Sequence, residues 1–117
     1  MLTLSKATHY YIYLSNTDMR KGFDSLSGIV SSIMQLDPLN TDVYIFLNRR
    51  RTQMKLLQWE GDGFAVYYKR LERGTYELPK SEENECCIII GIEHLEKIFR
   101  GISVHQNRQL KRYQHRP

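Results

Sequence analysis

The chain has few of the features that announce an enzyme or a membrane protein. It carries two cysteines, and they are neighbours, Cys86 and Cys87. An adjacent pair cannot staple distant segments, and it lacks the Cys-x-x-Cys spacing of zinc and redox sites. No apolar run approaches the ~20 residues of a membrane-spanning helix. With no secretory leader and no disulfide framework, the expected compartment is the cytoplasm and no membrane is expected as a partner. The histidines His9, His94, His105 and His115 make no His-x-x-x-His pair. There is no phosphate-cradling Gly-x-x-x-x-Gly-Lys loop and no nucleophile elbow. Asp18, Asp24, Asp37, Asp42, Glu60 and Asp62 are scattered over capping, turn and loop positions, whereas two-metal chemistry needs carboxylates clustered around its ions. The expectation is a protein that is not an enzyme and holds neither cofactor nor metal.

What remains is an ordinary globular composition. The 117 residues are 41% apolar and 26% charged, enough for one hydrophobic core and one domain over residues 1–104. The net charge of +4 is unevenly placed. All of the excess falls in Arg108, Lys111, Arg112 and Arg116. Residues 105–117 therefore read as a basic C-terminal tail, extended or disordered, either attracting a polyanion such as nucleic acid or serving as a frayed, solubilising end.

The period of the apolar residues predicts the elements. His9–Leu14 reads as a strand. Ser15–Asp18 offer helix caps, and Met19, Phe23, Leu26, Val30 and Ile33 then follow at helical spacing until Pro38. From Val43 the period is two. Strands are expected at Val43–Leu47, Thr52–Trp59, Phe64–Leu71 and, briefly, Thr75–Leu78. The turns between them are Asn48–Arg51, Glu60–Gly63 and Glu72–Gly74. Cys86–Ile90 reads as a short strand or the lead-in to a helix, and Ile92–Ile102 as a second amphipathic helix. The predicted class is α+β: an antiparallel β-meander with two main helices packed on one face.

A meander puts alternate turns at the same end of the sheet. Arg49, Arg50 and Arg51 should therefore lie near Lys69, Arg70 and Arg73, with Glu60 and Asp62 at the opposite end. Arginine forks suit phosphate oxygens and position a protein on nucleic acid without reading its sequence. These six residues, with Arg108, Lys111 and Arg112 of the tail, are the candidate DNA-contacting set. Two other readings stand beside it: arginines solvated or paired within the fold, and arginines meeting a protein partner. The aromatics Tyr44, Phe46, Trp59, Phe64, Tyr67 and Tyr68 have two readings as well, cross-strand packing and base stacking.

Several long motifs add a resemblance. Thr17–Asp24, continuing to Leu26, contains Asp18, Arg20, Lys21, Gly22, Phe23 and Asp24. Val43–Arg51 supplies a strand and a basic turn. Lys55–Phe64 contains Lys55, Trp59, Gly61 and Gly63, and Tyr67–Gly74 contains Tyr68, Leu71, Glu72 and Gly74, closing at Pro79. In this order, from about Thr8 to Gly101, they resemble the small accessory protein, often labelled TnpB or Orf2-like, of the insertion-sequence sixty-six family. The resemblance implies a role in DNA transposition beside a separate, larger, element-encoded transposase, and implies no catalytic residues. DNA and that transposase are the expected partners. Two mechanisms are expected to compete, direct phosphate contact and a protein–protein adaptor without DNA contact. The sequence specifies no oligomeric state.

Overall fold

A computed structural model describes residues 7, 9–82, 84–103 and 109–115. Five strands form one sheet: β1 (Tyr10–Tyr13), β2 (Val43–Leu47), β3 (Gln53–Trp59), β4 (Phe64–Arg70) and β5 (Cys87–Ile90), in the order β4-β3-β2-β1-β5. The protein is α+β as expected, but the sheet is mixed. β2, β3 and β4 form the antiparallel run that their short turns require. β1 lies parallel to β2, because the helical segment between them carries the chain back across the sheet. β5 pairs antiparallel with β1 at the far edge.

The expected strand at Thr75–Leu78 does not form. Gly74, at φ +85°, turns the chain out of the sheet. Tyr76 donates its N–H to Arg51 O at 2.7 Å, and its side chain enters the core at 1% exposure. The sheet continues instead at its other edge, through Cys87–Ile90.

The two helices also lie on opposite faces rather than on one. β2 is buried along its whole length, so both of its faces need cover. Val43, Ile45 and Leu47 pack with Met54, Leu56, Tyr76, Leu95 and Ile98 beneath α2 (Ile92–Arg100). Tyr44 and Phe46 pack with Leu26, Ile29 and Val30 on the other side, beneath α1 (Phe23–Gly28). Period-two alternation divides these sets between the faces.

The first helix starts later than its stripe suggests. Asp18 does not cap it. Its carboxylate instead accepts the Arg20 N–H at 2.9 Å and the Arg20 guanidinium at 2.6 Å. α1 opens at Phe23, after an extended Gly22, and runs directly into a π-helical turn, Ile29–Ile33. There the wider i→i+5 winding, Met34 N–H to Ile29 O at 2.9 Å, shifts the apolar stripe. Val30 and Met34 are buried, while Ile33 faces solvent. Gln35, at φ +57°, ends the segment. α2 ends on Gly101 at φ +72°, with Gly101 N–H bonded to Ile98 O and Ile102 N–H to Lys97 O. That pair of bonds is a Schellman cap.

Candidate nucleic-acid interface

The basic end of the sheet is built by the turn after β2. Asn48 organises it: Oδ1 accepts the N–H groups of Thr52 and Gln53 at 2.9 and 3.0 Å, and Nδ2 donates to Thr52 Oγ1 at 3.0 Å. Arg51 adopts φ +56° to close the turn, and its N–H donates to Asn48 O. On the turn that Asn48 holds, the side chains of Arg49, Arg50 and Arg51 stand exposed. Among the described residues, none of the three has a carboxylate partner.

The second basic segment lies against the first. Gln53 pairs with Arg70 in the β3–β4 ladder, and Leu71 N–H donates to Thr52 O at 2.8 Å. The fold thus brings Arg49, Arg50, Arg51, Lys69, Arg70 and Arg73 to one rim. Arg70 is engaged by Glu72 at 2.9 Å, but both side chains are mostly in solvent, where such a pair is weak. The Glu60–Gly63 hairpin closes the other end of β3 and β4, with Glu60 N–H donating to Gly63 O at 2.8 Å. Not all of the acid lies there, however. β5 begins beside the end of β1, so Glu82 and Glu85 sit at the basic end, beyond β1, on the opposite edge of the sheet. Glu83 lies outside the described residues.

A shallow, solvent-open groove of about 560 Å³ runs beneath the turn, lined by Asn16, Thr17, Asp18, Met19, Asn48, Arg49, Arg50 and Gln53. Sequence reading missed this convergence of the Asn16–Met19 loop with the arginine turn. It depends on one tertiary hydrogen bond, Thr17 N–H to Leu47 O at 2.8 Å. Asp18 is held well below the usual carboxylate range, first by its hydrogen bonds to Arg20. The Arg20 guanidinium is tied to it in return.

The C-terminal candidates separate. Arg108 lies outside the described residues, as does Arg116. Lys111 is exposed. Arg112 turns inward: Nη1 donates to Thr75 O at 3.0 Å, Nη2 reaches Ile98 O at 3.5 Å, and the guanidinium lies 5.5 Å from the Tyr76 ring centroid. Burial lowers its pKa and the Tyr76 phenol opposes that shift. Residues 109–115 are thus not a free tail throughout. Gln109 donates to Arg100 O and Gly101 O, and a Cβ on Gly74 would lie 1.9 Å from Lys111 O. Arg112 is engaged within the fold by Thr75 O, and it also lines a groove with Lys69, Arg70 and Arg73.

The motif residues fall into two groups. Trp59 packs edge-on against Phe64 with ring centroids 5.0 Å apart. Gly61 (φ +93°) and Gly63 shape that hairpin, Leu71 packs on the core, Glu72 meets Arg70, and Pro79 is half-buried. Arg20, Lys21, Gly22, Phe23, Asp24 and Tyr68 are exposed instead, with Lys55 half-buried among them.

Among the described residues, no group of three His, Cys, Asp or Glu side chains could hold a metal ion. No described helix is long and apolar enough to cross a membrane. The stripe of α2 places Leu95 and Ile98 in the core, with Ile92 and Phe99 partly buried against it.

A family model described as IS66 Orf2 like protein matches residues 8–109. Two proteins of Sinorhizobium fredii (strain NBRC 101917 / NGR234) are similar in sequence. Uncharacterized protein y4hO is 31% identical over 102 residues, 87% of each chain. Uncharacterized protein y4jC is 27% identical over 79 residues, 68% of each chain. No solved structure matches. The chain belongs to the IS66 Orf2-like family, the transposition accessory proteins that its motifs resemble.

Proposed function

We propose that the protein is a non-catalytic accessory factor of transposition that grips DNA by its phosphates through the basic rim, in the cytoplasm. One observation carries this reading: Arg49, Arg50 and Arg51 project, exposed, from a turn that Asn48 fixes, with no carboxylate partner among the described residues. Their guanidinium donors are left to an external anion. Phosphate contacts of this kind position a protein along DNA and carry no sequence information. Affinity should therefore fall with salt by about 0.9 log units per log unit of salt for each phosphate neutralised. The test is the triple variant Arg49→Glu, Arg50→Glu, Arg51→Glu in a salt-dependent binding assay. It should lose DNA binding while its circular dichroism spectrum stays unchanged. Normal binding by this variant would remove the reading.

A second reading, an adaptor for the element-encoded transposase, is favoured by the opposite edge of the sheet. Ile89 of the edge strand β5 is 61% exposed. An apolar edge strand is a natural pairing site for another chain. Capture of the purified transposase that survives high salt and is lost on Ile89→Arg would support the adaptor. Capture unaffected by that substitution counts against this edge.

A further inference from the structure

Lys55 breaks the pattern of its strand. β3 is interior to the sheet, and Lys55 pairs with Phe46 and Tyr68 in its cross-strand row. On that face Tyr44, Phe46 and Leu57 are all buried. A lysine there gives up core packing, and its stem runs out along the apolar surface to bring the ammonium to water. Its Nζ donates to Lys21 O at 2.8 Å and sits 4.8 Å from the centroid of the Tyr68 ring. The contact joins the loop before α1 to the edge strand β4.

The Tyr68 ring lies against this ammonium, and Phe23 stands two residues after Lys21, whose carbonyl accepts its hydrogen bond. Tyr68 is 52% exposed, and Phe23, the first residue of α1, is 50% exposed. The Tyr68 hydroxyl hydrogen-bonds to the Gln53 side chain, and Gln53 also lines the groove under Arg49 and Arg50. The aromatic patch is therefore continuous with the basic rim. Contact with duplex phosphates uses cations and gives exposed rings nothing to do, because paired bases keep their faces stacked inside the helix. Unpaired bases offer those faces. A basic track beside solvent-facing rings is the chemistry by which single strands are held.

We infer that Phe23 and Tyr68 form a stacking platform for unpaired bases of single-stranded DNA, with Lys55 and the basic rim holding the adjoining phosphates. This inference rests on the phosphate-contact reading above and narrows its substrate. The experiment is fluorescence anisotropy on the full chain with a labelled single-stranded oligonucleotide and with the duplex of the same sequence, at two salt concentrations. The expected result is tighter binding of the single strand. Phe23→Ala and Tyr68→Ala should each weaken it by about 5- to 100-fold, as loss of one base-stacking ring does. Duplex affinity should move less than about twofold, since phosphate contacts are untouched. Phe23→Trp and Tyr68→Phe keep a ring at each position and should retain single-strand binding. This separates stacking from a folding defect, and melting curves of all four variants check the same point. Equal affinity for both DNAs, unchanged in the alanine variants, would overturn the platform and leave the rim standing. Failure of the unaltered protein to bind either DNA would overturn both.

Discussion

Arg50 and Arg112 belong to two basic segments that approach the same part of the molecule, yet they are held in opposite ways. Arg50 sits on a turn whose last amides, those of Thr52 and Gln53, bond to Asn48, and its side chain lines an open groove. Arg112 lies between the end of α2 and the segment after Gly74. Its guanidinium takes up Thr75 O and approaches Ile98 O. The carbonyls within reach thus separate the two: Arg112 has Thr75 O beside it, while Arg50 projects from a turn into an open groove.

The sharpest way to break this contrast is at Gly74, whose backbone touches the Arg112 segment. A valine there meets Lys111 O at Cβ and must hold φ +85°. The expected cost is about 2–5 kcal/mol, read as a lowered urea midpoint. Gly61→Ala is the control, since Gly61 has φ +93° but open space around it. It should show the backbone cost alone, about 1–2 kcal/mol. Next in size, Arg112→Ala should destabilise by about 1–3 kcal/mol, through charge-assisted bonds and lost packing. Arg50→Ala should stay within about 0.5 kcal/mol. Affinity for DNA should respond in the reverse order, with Arg50→Ala weakening it and Arg112→Ala leaving it nearly unchanged. Equal stability losses in the two variants would erase the distinction.

A smaller effect appears with pH. Burial pushes the phenols of Tyr44 and Tyr76 up to about 12 from 10.0. The folded protein therefore keeps protons that the unfolded chain releases between those values. The associated stability is complete below pH 10 and is lost as pH rises towards 12. Absorbance titration should show both tyrosines ionising late. In Arg112→Ala the guanidinium charge that favours the Tyr76 phenolate is lost, so Tyr76 should ionise no earlier than in the unaltered protein. The smallest effect belongs to Asp18, whose hydrogen bonds to Arg20 keep it ionised to unusually low pH. Its contribution persists above the normal carboxylate range and disappears on deep acidification. The carboxyl carbon shift in an NMR titration should follow that course, with little change in melting temperature.

Much of the scaffold could be read from residue order. Val43–Leu47 shows its period of two, Glu60–Gly63 its hairpin, and Leu95 and Ile98 their helical spacing. The juxtaposition of Arg49–Arg51 with Arg70 and Arg73 follows from antiparallel pairing alone. The readings that failed concern competition between partners. Asp18 looks like a helix cap but bonds to Arg20. Thr75–Leu78 looks like a strand, yet Tyr76 gains more by filling the core beneath α2. Arg112 looks like a free tail cation until the end of α2 is placed beside it. Lys55 carried a visible signal, a charge on the apolar face of an interior strand, but its companions Lys21 and Tyr68 are distant in sequence.

By itself the sequence determined the elements that depend on near neighbours: the alternation of β2 to β4, the hairpin at Gly61–Gly63, the stripe of α2 and the family to which the chain belongs. Tertiary structure decided the parallel pairing of β1, the covering of both sheet faces and the inward turn of Arg112. It also decided the meeting of Lys21, Lys55 and Tyr68. Periodicity records which side of an element seeks burial, and only the folded chain supplies the surface or the hydrogen-bond partner that answers it.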